Sequence, residues 1–185
     1  MKYELVSLFT LFMLFALLTG SCTKEENSVN SPSGNFLINT SFENNGRFST
    51  DGWTLPSNSD SANDVPVNGG NYSLVLKSVS PPPVYAEIKV PVLTQYNNYK
   101  FSFWSKSTGI SSGVYGKAIL SLLRNGSTID SVSISIQEID WYYYTVSDTF
   151  NVAVGDSFLV QLSAGTSELL PGKTYFDLCT LEAVE

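Results

Sequence analysis

The 185-residue chain has no histidine. That removes the commonest general base, the commonest zinc ligand and the third member of most nucleophile–base–acid triads. Positive charge is also scarce: 10 Lys and Arg stand against 17 Asp and Glu, a net charge of −7. The basic residues do not cluster, which argues against a phosphate-backbone ligand such as nucleic acid. Cysteine is nearly absent, with Cys22 and Cys179 the only two. Beyond the N-terminal region no ten residues keep a helical repeat, so helices are not expected.

What is present begins with an export signal. Lys2 precedes an apolar run from Leu5 to Leu18, interrupted by Ser7 and Thr10, which is shorter than the roughly 20 residues needed to span a bilayer and suits a secretory signal peptide. The run ends in "LLTGSC", which resembles the lipobox of bacterial lipoproteins, although Thr19 stands where Leu is usual. The resemblance implies cleavage before Cys22 and acylation of that residue. "CTKEEN" is similar to the Lys-acid-acid signal of Bacteroidota lipoproteins exported to the cell surface. The expectation is an outer-membrane, surface-exposed lipoprotein that meets the membrane through its lipid anchor only. With Cys22 lipidated, Cys179 has no partner and reads as a buried core residue.

The organisation expected is a signal peptide over 1–21, the lipidated Cys22 with a polar tether over 22–34, and one domain over 35–185. The domain is rich in Val, Ile, Tyr, Phe and Ser, in short runs parted by turn signals. The runs are 36–39, 52–55, 72–77, 84–90, 99–106, 114–123, 128–136, 141–149, 157–163 and 173–182. Arg124-Asn125-Gly126-Ser127 is the clearest turn, because Asn-Gly supplies the positive φ angles of a type I′ hairpin. Strands of this number and length predict an all-β fold, an antiparallel β-sandwich or jelly roll.

Side-chain alternation assigns faces. Tyr99, Phe101 and Phe103 share one side of their strand and are expected in the core; Lys100, Ser102, Trp104 and Lys106 share the other. Likewise Tyr144, Val146 and Phe150 read as inward, with Tyr143, Thr145 and Ser147 outward; Ala118, Leu120 and Leu122 read as inward, with Tyr115, Lys117, Ile119 and Ser121 outward. Trp53 and Trp141 read as structural.

Two stretches or sets of residues suggest catalysis. Gly109-Ile110-Ser111-Ser112-Gly113 spells the G-x-S-x-G of a nucleophile elbow, but such an elbow turns from strand to helix and needs a histidine. Glycosidases need only two carboxylates, and Glu87, Glu138, Asp140 and Asp148 are available, though sequence alone does not pair any two across a cleft.

Five stretches in order, "NFLINTSFENNGRFSTDGWT", "NGGNYSLVLK", "VPVLTQYNNYKFSFWSKS", "WYYYTVSDTF" and "YFDLCTLE", resemble the carbohydrate-binding modules of the families four and nine type, which share a galactose-binding-like jelly roll. The resemblance covers about Asn35 to Val184. It implies non-catalytic capture of a polysaccharide or oligosaccharide at the cell envelope. A protein-interaction or adhesion module with an envelope partner is the alternative, and a glycoside hydrolase the more distant one. It also implies a structural calcium held by Glu43 and Asp177, with main-chain oxygens from Ser41 and the Gly70-Asn71 turn. For the sugar, Trp104 is the leading platform, with Tyr143, Tyr115 and Lys106 beside it, since aromatic faces meet pyranose C–H faces while polar neighbours fix orientation. Asp60-Ser61-Ala62 and Asp130-Ser131-Val132 are similar to O-glycosylation acceptors of Bacteroidota.

Overall fold

Alternating aromatic and β-branched residues form eleven strands among the residues that the computed structural model describes, 34–92, 96–109, 116–165 and 172–184. In chain order these are β1 (Glu43–Asn44), β2 (Arg47–Phe48), β3 (Ser59–Ala62), β4 (Ser73–Lys77), β5 (Ala86–Pro91), β6 (Asn98–Thr108), β7 (Gly116–Arg124), β8 (Ser127–Ile136), β9 (Tyr142–Thr149), β10 (Ser157–Ser163) and β11 (Lys173–Val184). No helix occurs among the described residues, all of which lie in the unit Pro32–Glu185.

The strands form a four-stranded sheet, β5-β10-β7-β8, and a five-stranded sheet, β3-β4-β11-β6-β9; β1 and β2 make a small hairpin. Every pairing is antiparallel. The β-sandwich expected from the sequence is the fold observed. Its core joins Phe158, Val160, Leu120 and Leu122 from one sheet to Phe101, Phe103, Phe176 and Leu181 from the other.

The predicted inward faces hold, while Ser102 and Ser121, expected outward, are buried. Tyr99, Phe101 and Phe103 are buried, as are Tyr144, Val146 and Phe150, and Ala118, Leu120 and Leu122. Cys179 is buried too, and Trp53 packs on Phe42 at 5.1 Å between ring centroids. The 124–127 hairpin has φ of 52° at Asn125 and 80° at Gly126, the left-handed pair that the Asn-Gly sequence favours. Two expected strands differ: residues 36–39 form none, and 52–55 contribute one bridge, Thr54 to Glu87. Instead Asn35 ties the domain's start to β11, its Oδ1 accepting from Leu181 N at 2.8 Å and its Nδ2 donating to Cys179 O at 3.2 Å.

One irregularity positions the site. On β11, Asp177 pairs with Trp104 and Thr180 with Ser102, so two residues of β11 face one of β6. Leu178 takes φ of 50° in this bulge. An extra residue reverses the alternation, so Phe176 before it and Cys179 and Leu181 after it all point to the core. Tyr175 and Asp177 are thereby placed on the opposite, outer face of the five-stranded sheet.

Candidate functional site

The outer face of the five-stranded sheet carries the aromatic side chains that the core does not use. Across the strands, Asp177, Trp104 and Tyr143 are in register, and in the next row Val75, Tyr175 and Lys106. The Trp104 and Tyr143 rings meet at 5.6 Å, tilted by 54°, with Trp104 half-buried and Tyr143 48% exposed. Cross-strand aromatic pairs of this kind stiffen each other. Ser102 and Thr145, one row further, join their hydroxyls at 3.3 Å. Ser102 is buried although it lies on this face.

A second aromatic pair lies in the adjoining row. Trp141, immediately before β9, stands edge-on to Tyr175 at 6.2 Å. Lys106 Nζ sits 5.3 Å from the Trp141 ring centre and 5.1 Å from that of Tyr175, inside the roughly 6 Å range of a cation–π contact. Asp64, from the loop between β3 and β4, accepts from Lys106 Nζ at 2.6 Å and from Trp141 Nε1 at 3.0 Å. Partial burial works to raise the Asp64 carboxyl, but the Lys106 and Trp141 hydrogen bonds outweigh it and hold the group below the usual carboxylate range.

Of the expected sugar-site residues, Trp104, Tyr143 and Lys106 come together on this face, and Tyr115 lies outside the described residues. Trp141, read from sequence as structural, lies on this outer face immediately before β9, where it contacts Asp64, Tyr175 and Lys106. Tyr175 was not anticipated at all.

The expected metal ligands Glu43 and Asp177 lie against one loop, residues 69–70. Glu43 Oε1 accepts from the backbone N–H groups of Asn71 and Tyr72. A methyl group at Gly70 would sit 2.5 Å from that oxygen, and one at Gly69 would strike Asp177 Oδ2. The 69–70 loop therefore lies against both carboxylates. Asp177 is fully buried, and its Oδ2 has no hydrogen-bond partner. Burial pushes its carboxyl up to about 8, and the nearby Glu43 charge adds to the rise. Ser41 lies in the turn before Glu43, and the neighbouring Thr40 carbonyl accepts from Cys179 N in the bulge at 2.8 Å. Among the described residues no three acidic, cysteine or histidine side chains converge on one point. A hard cation here would draw on two carboxylates and on carbonyls of the surrounding loops, which is the donor chemistry calcium accepts. An orphaned, buried carboxylate oxygen beside a second carboxylate fits such an ion.

Of the carboxylates considered for hydrolysis, Glu87 and Asp148 lie on different sheets: Glu87 is on β5 of the four-stranded sheet, bound by Gln161 Nε2 at 2.6 Å, and Asp148 is on β9 of the other. Residues 110–113 of the G-x-S-x-G stretch lie outside the described residues. Ser61 and Ser131 of the Asp-Ser triplets lie on β3 and β8, each an edge strand.

No protein-family model matches the chain, and no curated protein matches it in sequence. Solved structures do match it. A family 16 carbohydrate-binding module is 25% identical, with 82% of this chain and 100% of that one covered at a TM-score of 0.54. A family 61 module, TmCBM61, solved with β-1,4-galactotriose, is 16% identical over 82% and 100% of the two chains, also at 0.54. The enzymatically active domain of tailspike protein 4 of bacteriophage CBA120 is 16% identical at 0.60, covering 81% of this chain but 21% of that one. This chain thus spans only about a fifth of the tailspike and the whole of each module. The likeness establishes the β-sandwich fold shared with carbohydrate-binding modules.

Proposed function

We propose that the chain is a non-catalytic glycan-binding domain, of the families four and nine type, carried on a surface lipoprotein anchored through Cys22. The observation that carries this reading is that Trp104, Tyr143, Trp141 and Tyr175 all stand on the outer face of one sheet. A folding chain gains by burying such rings in the core, so four aromatics gathered outside it call for another use. Their faces suit the C–H faces of pyranose rings, and Ser102, Thr145 and the Lys106–Asp64 pair supply polar groups beside them. The fold shared with carbohydrate-binding modules supports the reading.

Structural calcium held by Glu43 and Asp177, with loop carbonyls from Ser41 and the Gly70-Asn71 turn, belongs to the same proposal. The ion would supply positive charge between two carboxylates that otherwise repel. Glu43 and Asp177 both lie against the 69–70 loop, part of the segment that delivers Asp64. Residues 1–21 would act as the signal peptide and 22–34 as the tether.

Isothermal titration against soluble glucans, xylans, mannans and galactans tests the function. Wild type binds at least one of them, and Trp104→Ala weakens that binding at least about tenfold, as loss of a central aromatic anchor does. Binding untouched by this substitution would move the site off this face. The second reading, a protein-docking module, is favoured by Ile139 and Tyr142, 73% and 55% exposed at the entrance to β9. It predicts capture of an envelope protein and no response to any glycan.

A further inference from the structure

Most of the positive charge on the strands of this sheet is already matched before any ligand arrives. The strands of the five-stranded sheet contain no arginine. Their lysines are Lys77, Lys100, Lys106 and Lys173, and three of the four are paired: Lys100 with Glu182 at 2.5 Å, Lys106 with Asp64 at 2.6 Å and Lys77 with Asp60 at 3.1 Å. Lys173, opposite Lys77 in register at one end of the sheet, adds its field to Asp60. Lys106 is the most enclosed, with 13% of its side chain exposed and its ammonium held between two rings and a carboxylate.

An acidic sugar needs a free ammonium or guanidinium to accept its carboxylate or sulfate. Lys106 and Lys100 flank Trp104 on the same strand and would be the natural donors, one row on either side of it and of Ser102. Drawing Lys106 away would strand Asp64 and loosen the acceptor of the Trp141 indole N–H. Drawing Lys100 away would strand Glu182. In each case one ion pair is exchanged for another, and the abandoned carboxylate then repels the incoming anion.

We infer that the outer face takes an uncharged glycan, and that the Lys106–Asp64 and Lys100–Glu182 pairs exclude acidic ones. This rests on the glycan-binding reading and narrows its ligand class. The pairs act as a charge filter on a platform whose attraction for sugar is aromatic.

The test is affinity gel electrophoresis of wild type and of the Asp64→Asn/Glu182→Gln double variant, each in gels containing a neutral glucan, xylan, mannan or galactan, polygalacturonate or alginate. Asparagine at 64 keeps an acceptor for Trp141, and circular dichroism melts check that the variant folds. Wild type is retarded by a neutral polymer, with an affinity that changes less than about twofold up to about 1 M salt, and not by the acidic ones. The double variant gains retardation by an acidic polymer of at least about tenfold in affinity, lost in salt, as expected when charge-assisted donors are set free. Wild type retarded by polygalacturonate or alginate would overturn the inference while leaving glycan binding intact. Wild type retarded by neither class would remove the glycan reading and the inference with it. A double variant that stays blind to acidic polymers would show that the ion pairs are not the filter.

Discussion

Tyr144→Phe removes one oxygen and leaves the ring. The Tyr144 hydroxyl accepts from the backbone N–H groups of Gln137 and Glu138, both at 3.1 Å. The ring is buried and stacks on Phe103 at 5.5 Å with an interplanar angle of 13°. Phenylalanine keeps those packing contacts, so the loss is confined to two hydrogen bonds, each of net worth about 0.5–1.5 kcal/mol. Both residues have exposed side chains, so water reaches part of the vacated position and the expected loss is near the middle of the sum, about 2 kcal/mol. For a domain of this size that corresponds to a fall in Tm of roughly 4–8 °C by calorimetry. Tyr144→Ala also opens a cavity and is expected to lose about 3–5 kcal/mol. The turn held by these bonds runs from Gln137 to Trp141, and Ser107 N donates to Glu138 O within it at 2.8 Å. Loosening it should therefore also weaken glycan binding through Trp141. A Tyr144→Phe protein melting within about 1 °C of wild type would refute the reasoning, because it would mean the hydroxyl contributes nothing net.

Four further outcomes are expected. Trp141→Phe keeps an aromatic ring but loses the indole N–H that Asp64 accepts; Tm should fall by roughly 2–4 °C for one hydrogen bond of about 1 kcal/mol, and titration should show weaker glycan binding because the ring is no longer held by Asp64. EGTA should lower the Tm of wild type, by several degrees if calcium had been present at about 100 times its Kd, and leave Asp177→Asn unchanged; equal responses would remove calcium from Glu43 and Asp177. Asp156 is held below the usual carboxylate range chiefly by the Arg124 hydrogen bond. Its stabilising contribution is therefore complete above the unfolded value of 3.8 and fades as pH falls through the lower folded value; the Tm gap between wild type and Asp156→Asn should be widest near pH 6 and close toward pH 3. Finally, a clickable fatty acid supplied to cells should label wild type and not Cys22→Ala, and an unlabelled wild type would exclude the anchor.

Much of the outer face was legible in the sequence because a strand alternates with a period of two. In "YKFSFWSK" the three rings of Tyr99, Phe101 and Phe103 claim the core, which leaves Trp104 and Lys106 outside; "WYYYTV" does the same for Tyr143. That Trp104 and Tyr143 lie side by side needed the register of β6 on β9, which is a long-range pairing. Trp141 was missed for a local reason: it precedes the strand, and alternation assigns no face to a residue that is not yet paired. Tyr175 was hidden by the bulge. Counted back from Leu181 and Cys179 in steps of two, Asp177 and Tyr175 would fall in the core, and the extra residue at Leu178 is what turns them out.

By itself the sequence determined the class of fold, the inward faces of β6, β7 and β9, the Asn-Gly hairpin and the absence of histidine chemistry, since all of these follow from local periodicity and composition. The tertiary structure alone decided that a loop residue, Asp64, would join Lys106 and Trp141, and that Glu43 and Asp177, far apart in the chain, would face one another across the 69–70 loop. Those contacts depend on strand order and on one irregular residue in β11. Neither is encoded in any short stretch, because the free energy that selects them is the burial of two whole sheet faces against each other.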